Sequence, residues 1–513
     1  MMIRCDVLII GAGPGGLAAA KGAREAGAER VIILERDTQP GGILNQCIHD
    51  GFGLIRYKKT LTGPEYAHRA AREAAEAGAE LLTGHQVVRM ARIDAIEAPE
   101  SNGDRANAAS TVCLKDSVIE VTAVTREGLK TFRAGAVVMA LGCRERTRGA
   151  ISIPGSRPAG VFTAGVIQNF VNIRNVMPGH RIVILGSGDV GMIMARRLTL
   201  EGAHVEAVVE ILPEPAGLAR NVSQCLYDYG ISIMCSHTVS RIIGKKKLEA
   251  VEISQIDQDM KPIPGTQQII ECDALILSVG LIPEIEIAET AGVALELKTN
   301  GALTDACMQT NVPGIFSCGN SRRIMDLADF VSEQGELAGR NAFAYLNDQE
   351  MQTWDEARST SMRKGYPIPD TVTCPLCPNG CQVRRKTGTD VRVADASVAD
   401  TKSSNDAKHL SDFYEGHKCP LGAAFAEQER TAPKRMLTTT VRTANGALIP
   451  VRTERLIAKE KIFDAMAKLR SFTAETSVDG SGLAAQIQCG SVLTTVTDSD
   501  GTPVPIIATA DFD

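Results

Sequence analysis

The sequence lacks any run of about 18 apolar residues, so it predicts no helix that spans a bilayer. It also lacks an excess of basic charge, because 55 Lys and Arg stand against 61 Asp and Glu, and no nucleic-acid partner is expected. Aromatic residues make up only 4% of the chain, but the hydrophobic fraction of 44% is typical of globular proteins. Disorder and collagen-like repeats are therefore excluded, and about three domains are expected.

Several catalytic signatures are also missing. The chain has no Ser-His-Asp order of the known hydrolases, no HExxH and no Walker loop, so hydrolase, metalloprotease and P-loop readings have no support. A strand pattern begins at residue 5, which leaves no room for a cleavable signal segment, and we expect a cytoplasmic protein. In that reducing compartment the 14 cysteines are expected to be free, metal-bound or catalytic, with disulfides the minority case.

What is present is a repeated pattern. The segments DVLIIGAGPGG at 6–16 and RIVILGSGDVG at 181–191 are each an apolar strand pattern followed by GxGxxG and a helical stretch. In both copies an acidic residue ends the next strand pattern at the same distance from its loop, Glu35 in the first and Glu210 in the second. One GxGxxG is weak evidence, but two in this context predict two βαβ units that bind dinucleotides.

Each glycine of such a loop has a separate physical role. The first permits a tight turn, the second lets the backbone approach a pyrophosphate, and the third lets helix and strand pack closely. These residues are Gly11, Gly13 and Gly16 in the first unit and Gly186, Gly188 and Gly191 in the second. The acidic residue accepts hydrogen bonds from ribose hydroxyls. A 2′-phosphate would meet a like charge at Glu210, which favours NAD(H) over NADP(H).

The remaining patterns place the other elements. They predict helices at 63–78, 330–346 and 458–472, strands at 134–143, 272–283 and 310–320, and a polar surface hairpin loop at 97–110. Periodicity is lost between about 350 and 370, which indicates a domain boundary.

The ordered set of motifs resembles a known family. GAGPGG, Glu35, Gly41-Gly42, ALGCRER at 140–146, GSGDVG and VPGIFSCGN are similar to the two-dinucleotide-domain flavoproteins of the pyridine nucleotide-disulfide oxidoreductase group. The resemblance covers roughly residues 1–350. It implies FAD on the first unit and a pyridine nucleotide on the second. It also implies cofactor contacts from Arg36, Gly42, Gly142, Gly280, Gly319 and Asn320, the last of which is Asp in most relatives.

The departures from this family are informative. Disulfide reductases of the group carry C-x4-C after the first Gly-Gly or C-x2-C in the second domain, and this chain has only Cys47 after Gly42. Thioredoxin reductase and glutathione reductase activities are therefore not expected. Cys47 is a candidate catalytic residue beside the flavin together with His49, and the alternative is a packed thiol and a hydrogen-bonded loop histidine. The long N-terminal match, which includes GCRERTRGAISIPGSRPAGVFTAG at 142–165, looks closest to flavin subunits of multi-component opine, amine or glycerol-3-phosphate dehydrogenases, which implies a partner flavoprotein.

A cysteine cluster stands outside the doubled pattern. Its four members follow the spacing C-x2-C-x3-C-x37-C and are Cys374, Cys377, Cys381 and Cys419. Three thiolates within eight residues and a fourth from a distant loop can enclose one inorganic centre. The spacing resembles the cluster-binding start of molybdopterin oxidoreductases and favours [4Fe-4S]. A structural zinc and unligated thiols stay open as alternatives, although zinc sites more often present two C-x2-C pairs.

These observations combine into one prediction. The fold is α/β, with two Rossmann-like dinucleotide-binding domains, the second inserted in the first, and a small C-terminal α+β metal or cluster domain that resembles a domain of uncharacterised function. The predicted boundaries are 1–150 and 286–350 for the FAD domain, 151–285 for the NAD(P) domain, 351–370 for a linker and 371–513 for the C-terminal domain. The expected function is an FAD-dependent, NAD(P)H-linked oxidoreductase that relays electrons to an iron-sulfur centre or a partner dehydrogenase. The alternative is a non-catalytic electron-transfer or scaffold subunit with a zinc-bound C-terminal module.

Overall fold

The computed structural model describes residues 2–94, 117–359, 364–377, 379–387, 408, 410–474 and 487–512. The hairpin loop predicted at 97–110 lies outside these residues. The chain divides into two compact units. The first comprises Met1–Asn45, Arg56–Arg144 and Leu281–Thr360, and the second comprises Gln46–Ile55, Glu145–Gly280 and Ser361–Asp513. The second dinucleotide pattern and the cysteine cluster thus belong to one compact unit, and the finer domain boundaries stay predictions.

The first part of the chain alternates strands and helices. Its strands are β1 (Met2–Ile10), β2 (Val31–Leu34), β3 (Asp50–Phe52), β4 (Leu61–Thr62), β5 (Glu80–Leu82), β6 (Gln86–Asp94), β7 (Ser117–Thr125), β8 (Gly128–Met139) and β9 (Cys143–Glu145). Its helices are α1 (Pro14–Ala26) and α2 (Gly63–Glu76). A capping box starts α2, because the Thr62 side chain accepts from the Glu65 N–H and the Glu65 carboxylate accepts from the Thr62 N–H.

The middle of the chain repeats that alternation. Its helices are α3 (Arg148–Ile151), α4 (Ala164–Asn172), α5 (Asp189–Leu200), α6 (Ala219–Asn221), α7 (Glu286–Thr290) and α8 (Ala328–Leu346). Its strands are β10 (Val161–Thr163), β11 (Arg181–Leu185), β12 (His204–Val209), β13 (Ile233–Met234), β14 (His237–Gly244), β15 (Leu248–Gln255), β16 (Gln268–Glu271), β17 (Ala274–Leu277), β18 (Leu281–Pro283) and β19 (Ile315–Ser317).

The first unit is built on a seven-stranded sheet. Its strand order is β5-β2-β1-β8-β7-β6, with β19 added beside β8. Strands β5, β2, β1, β8 and β19 run parallel, and the glycine loop leaves the carboxyl end of β1. Helix α8 packs tightly on α1, since a Cβ on Gly335 or Gly339 would lie within 2.0 Å of a carbonyl oxygen of α1. Two residues without side chains therefore set the approach of these helices.

The second unit contains the second dinucleotide pattern. Its five-stranded parallel sheet has the order β10-β17-β11-β12-β13. Strand β11 is buried on both faces, because Ile182 and Ile184 enter one hydrophobic cluster while Val183 and Leu185 enter another. A strand covered on both faces reads as a continuous apolar run, as RIVIL does. The α/β class with two Rossmann-like sheets is thus confirmed.

The C-terminal part of this unit is mainly antiparallel. Its strands are β20 (Val372–Thr373), β21 (Gln382–Arg385), β22 (Tyr414–Glu415), β23 (Lys434–Arg435), β24 (Thr438–Thr443), β25 (Leu448–Thr453), β26 (Ile457–Ala458), β27 (Thr473–Ala474), β28 (Val492–Thr497) and β29 (Pro503–Ala508). Its helices are α9 (Pro420–Thr431) and α10 (Ile462–Ser471). The main sheet, β27-β24-β25-β29-β28, packs on α10 around a core that also takes in Leu200 of α5. Among the helices of the described ranges, none combines the length and hydropathy of a bilayer span.

Buried polar contacts fasten the C-terminal sheet to the second Rossmann-like sheet. The Arg197 guanidinium, on α5, donates to Thr439 at 2.9 Å and pairs with Glu201 at 2.5 Å. Arg435 pairs with Asp228 at 2.7 Å and with Glu429 at 2.6 Å, and its side chain is 8% exposed. Removing Arg435 would take this partner from Glu429 and would leave Asp228 with Lys459 alone in a poorly solvated site.

Replacing Arg435 with alanine should therefore destabilise the C-terminal part by about 3 kcal/mol. The measurement is the free energy of unfolding from urea titrations followed by circular dichroism. Arg384→Ala is the matched control, because its pair with Glu415 is exposed and is worth under about 1 kcal/mol. Equal losses from the two substitutions would contradict a stabilising role for the buried network.

Candidate functional site

The first glycine loop is shaped by its neighbours. Gly11 has a φ of +100°, and a Cβ there would lie 2.5 Å from the carbonyl oxygen of Ala140. A Cβ on Gly16 would lie 1.8 Å from the carbonyl oxygen of Gly11. Gly13 caps α1 in an extended conformation, and nothing lies within 4 Å of a Cβ built on it. Protein backbone therefore closes the loop at Gly11 and Gly16, whereas the side at Gly13, its front, is open. The N-terminus of α1 faces this open side.

Glu35 is tied to this loop. Its buried carboxylate follows β2 and accepts from the N–H of Ala12 at 2.7 Å and from the N–H of Asp37 at 2.9 Å. A carboxylate offers about four lone-pair sites, so it keeps capacity for ribose hydroxyls after these two bonds. The neighbouring candidate Arg36 is exposed. The backbone amides hold the acceptor in place before any ligand arrives.

The second loop has a similar backbone, but the Ser278 side chain lies close to its second and third glycines. Gly186 has a φ of +93°, and a Cβ there would lie 2.2 Å from the carbonyl oxygen of Ser278. A Cβ on Gly191 would lie 2.6 Å from that of Ser278, whose hydroxyl accepts from the Gly191 N–H at 3.1 Å. Gly188 caps α5, and a Cβ there would be 3.0 Å from the same hydroxyl. No sequence motif identifies Ser278 as part of this site.

Glu210 repeats the arrangement of Glu35. Its buried carboxylate accepts from the Ser187 N–H at 2.8 Å and from the Leu212 N–H at 2.9 Å. The Ser187 hydroxyl donates a further bond at 2.5 Å, which has no counterpart at Ala12. Both loops therefore present an acidic acceptor oriented by the residue after their first glycine.

The N-termini of α1 and α5 differ in charge, because only α5 has an acidic side chain in its first turn. Helix α1 has no acidic residue in its first turn, whereas α5 begins with Asp189. The Asp189 carboxylate accepts from the Leu218 N–H at 2.8 Å and from the Asn221 amide at 2.6 Å. A carboxylate at this position offsets the positive end of the helix dipole that a phosphate would meet. The first loop is thus the more favourable of the two for a dianionic pyrophosphate.

A further polar position lies in the first unit. Gly319, with a φ of +65°, donates its N–H to Gln334 Oε1 at 3.1 Å. Gln334 is fully buried, and its Nε2 has no hydrogen-bond partner among the described residues. A buried amide without a partner costs about 1–3 kcal/mol, so its donor fits an acceptor from a bound group. Sequence motifs do not identify Gln334, because it lies inside α8.

The remaining candidate residues occupy turns. Asn320 donates its side-chain N–H to Cys143 Sγ at 3.4 Å, and its oxygen accepts from the Met325 N–H at 3.0 Å. Positive φ values of +54°, +76° and +108° occur at Gly42, Gly142 and Gly280. Their cofactor contacts stay predictions.

Cys47 lies in a buried environment of the second unit. Its thiol donates to Gln168 Oε1 at 3.6 Å, and burial raises its pKa to about 12. Burial lowers the pKa of His49 to about 4, and the His49 Nδ1 contacts the Asp50 carbonyl oxygen at 3.0 Å. A neutral imidazole supplies no positive charge to stabilise a thiolate. At neutral pH this thiol is protonated, which favours the packed-thiol alternative.

Alkylation tests that environment. A thiol with a pKa near 12 has a thiolate fraction at pH 8 about a thousandfold below that of an ordinary cysteine. We expect Cys47 in the native protein to react with iodoacetamide about a thousandfold more slowly than in the urea-unfolded protein, measured by peptide mass spectrometry. Because the folded pKa is raised, the difference should shrink as pH rises towards 12. Fast native labelling at pH 8 would instead identify a reactive thiol.

The four clustered cysteines share one region. The Cys374 N–H donates to the Cys381 carbonyl at 2.8 Å, and Lys418 donates to Asn379 at 3.2 Å, which brings the segment before Cys419 to the turn after Cys377. Burial raises the pKa of Cys374 to about 12, a backbone hydrogen bond to Leu376 opposes this, and the other three thiols add to it. As the side chains stand, no three His, Cys, Asp or Glu residues in the described ranges converge tightly enough to hold a metal. The metal site stays a prediction.

Comparisons with known proteins agree with this architecture. The family model described as pyridine nucleotide-disulphide oxidoreductase matches residues 5–341, and a family of unknown function, DUF1667, matches residues 420–509. A subunit of opine oxidase from Agrobacterium tumefaciens is 25% identical over 374 residues, 70% of this chain and 69% of its own. The alpha subunit of sarcosine oxidase from Rhizobium meliloti is 28% identical over 284 residues, 55% of this chain and 25% of its own.

A solved structure shows the same fold. Thioredoxin reductase from T. acidophilum is 22% identical, has a TM-score of 0.52, and is matched over 67% of this chain and 99% of its own. This likeness concerns the two-domain Rossmann fold alone. Residues 145–280, which contain the second glycine loop, hold Cys225, Cys235 and Cys272 but no C-x2-C pair of the kind found in the second domain of disulfide reductases.

Proposed function

Because the chain belongs to the pyridine nucleotide-disulphide oxidoreductase family, we propose that it transfers electrons between NAD(H) at the second glycine loop and FAD at the first. The family makes it an FAD-dependent, NAD(P)-linked oxidoreductase. The electron route beyond the flavin is the finer proposal. Electrons would pass to an iron-sulfur centre held by the four cysteines or to a partner dehydrogenase of the opine, amine or glycerol-3-phosphate type.

The first loop suits a resident FAD. Gly13 leaves the front of the loop open to a pyrophosphate, and Glu35 is oriented for a ribose. The Gln334 Nε2, which has no partner among the described residues, and the Gly319 turn would bind polar groups further along the cofactor. Bound FAD would supply hydride chemistry, which no side chain of the chain can perform alone.

The second loop suits an exchanging nucleotide. Asp189 weakens the attraction of the α5 N-terminus for phosphate, so a dinucleotide should bind here less tightly than at the first loop. Glu210 disfavours a 2′-phosphate. A tightly held flavin and a dissociable NADH are the two properties that turnover with a soluble nicotinamide requires.

The observation that carries this proposal is the repeated carboxylate-to-loop geometry at Glu35 and Glu210. Anaerobic titration of purified protein with NADH tests it, and we expect the visible flavin absorbance to fall. NADPH should need at least about tenfold higher concentration, because a like charge opposes its 2′-phosphate. Gly188→Val alters only the second loop, so this variant should keep its bound flavin, but NADH should no longer reduce that flavin. Absence of any bleaching in the wild-type protein would remove the nicotinamide role.

A second candidate function is a non-catalytic electron-transfer or scaffold subunit with a zinc-bound C-terminal module. Its support is Asp189, which also fits a second nucleotide fold that is left empty. This candidate predicts no NADH oxidation by the isolated chain with artificial electron acceptors. Activity that appears only after a partner flavoprotein is added would favour it.

A further inference from the structure

A groove lies in the second unit, where the C-terminal sheet meets the segment after α6. Its volume is about 500 Å³, and its lining includes Asp228, Tyr229, Lys434, Lys459, Phe463 and Ser499. This volume is within the range of small-molecule sites, which favour domain junctions. The groove involves neither glycine loop nor the cysteine cluster, so its occupant is a separate question from the redox chemistry.

One wall of the groove is aromatic. The rings of Tyr229 and Phe463 meet edge to face, with centroids 6.0 Å apart. Phe463 is nevertheless 50% exposed, which leaves much of its ring for another partner. An exposed phenyl ring beside a concave surface stabilises flat apolar groups by about 0.5–1.5 kcal/mol beyond their buried area.

The charges of the groove are unevenly satisfied. Asp228 already pairs with Lys459 at 2.6 Å and with Arg435 at 2.7 Å. Lys434 is half-buried, and its ammonium has no hydrogen bond or ion pair among the described residues. The carboxylate of Glu460 also lines the groove but is exposed to solvent, which screens it. The unsatisfied charge in the sheltered part of the groove is therefore positive.

We propose that this groove binds a small organic anion with an aromatic ring, the ring against Phe463 and the anionic group on Lys434. Tyr229 and Ser499 also line the groove, and their hydroxyls have no hydrogen-bond partner within the described ranges. A carboxylate and a phosphate share this chemistry.

Calorimetry with the full flavin-loaded chain tests the proposal. Benzoate and phenyl phosphate are the probes, and neutral benzamide is their uncharged analogue. We expect at least one anion to bind about tenfold or more tightly than benzamide, since a charge-assisted hydrogen bond is worth about 1.5–3 kcal/mol. Tighter benzoate would identify a carboxylate ligand, and tighter phenyl phosphate would identify a phosphate ligand.

Four variants locate the binding. Lys434→Gln and Phe463→Ala should each weaken the favoured anion about tenfold, whereas Lys434→Arg should restore most of the affinity. Lys468→Gln, an exposed lysine on α10 outside the groove, should leave it unchanged. Circular dichroism of each variant confirms that it is folded. The proposal is overturned if neither anion binds the wild-type chain, or if the affinity is the same in Lys434→Gln and Phe463→Ala as in the wild type.

Discussion

Replacing Gly13 with valine is expected to yield a folded protein that purifies without flavin. The position has an extended backbone with a φ of −72°, which suits a β-branched residue, and a Cβ there meets no protein atom within 4 Å. The new side chain would instead occupy the open front of the first loop, where the pyrophosphate of FAD is proposed to lie. We expect the ratio of flavin to protein to fall at least about tenfold, measured by visible absorbance after purification.

Two other glycines make this result specific. Gly16→Val should lose flavin and also unfold at a lower temperature than flavin-stripped wild type, because its Cβ meets the Gly11 carbonyl oxygen at 1.8 Å. Gly149→Val, on α3, should retain flavin, since a Cβ there is no closer than 3.7 Å to any neighbour. Flavin-stripped wild type is the reference, because a bound ligand itself raises the unfolding temperature. If Gly13→Val keeps a full complement of flavin, the pyrophosphate does not lie in front of Gly13.

The parts of the site that the sequence predicts are those encoded locally. The glycine loops and their acidic partners are separated by one βα unit, so spacing alone indicates their geometry. The helix at 63–78 was predicted within two residues of α2, because a proline near its start and a glycine after its end mark its limits. Strands in the pattern VIILE and VEAVVE end one residue before Glu35 and Glu210.

The parts that the sequence does not predict depend on residues brought together over long separations. Gln334 reaches Gly319 from inside α8, and Ser278 reaches Gly191 from another strand end. Both are common polar residues in elements whose periodicity reports only packing. Arg435 and Asp228 likewise carry no motif, yet their pair helps to fasten the C-terminal sheet. Only the tertiary fold places these groups.

In the C-terminal domain, the sequence predicts a helix but not the residue at which it begins. The helix predicted at 458–472 takes in the last residue of β26 and a short 3₁₀ turn as well as α10. The apolar positions of IFDAMAKLRS follow a helical period, but Ala458, where the predicted helix begins, pairs with Lys434 in a two-stranded ladder. Residues at the start of an amphipathic pattern can satisfy either element, and strand pairing decided the outcome here.

Replacing Cys381 with serine is expected to remove all protein-bound metal from anaerobically purified protein. We predict about four irons with acid-labile sulfide, or a single zinc, per wild-type chain, measured by plasma mass spectrometry and sulfide assay. Serine at Cys374, Cys377 or Cys419 should have the same effect, since a site of four thiolates that loses one closes poorly around its metal. Cys489→Ser, in the same domain but outside the cluster, should retain full metal content.

The physical reason for this large effect lies in the charges of the four thiols. Burial is the main cause of the raised pKa of Cys374, and the nearby Cys377, Cys381 and Cys419 raise it further. Four thiolates brought together without a cation would repel one another. A bound cation reverses the balance, so metal affinity and thiol deprotonation rise together, and metal should be lost as pH falls. A structural metal in a small domain contributes about 10 kcal/mol or more to its folding, so the serine variants should also expose the segment around Cys381 to proteolysis. Iron without zinc would support the electron relay, and zinc without iron would support the scaffold. A wild-type chain that contains neither, with unchanged stability in all four variants, would leave these cysteines as packed thiols.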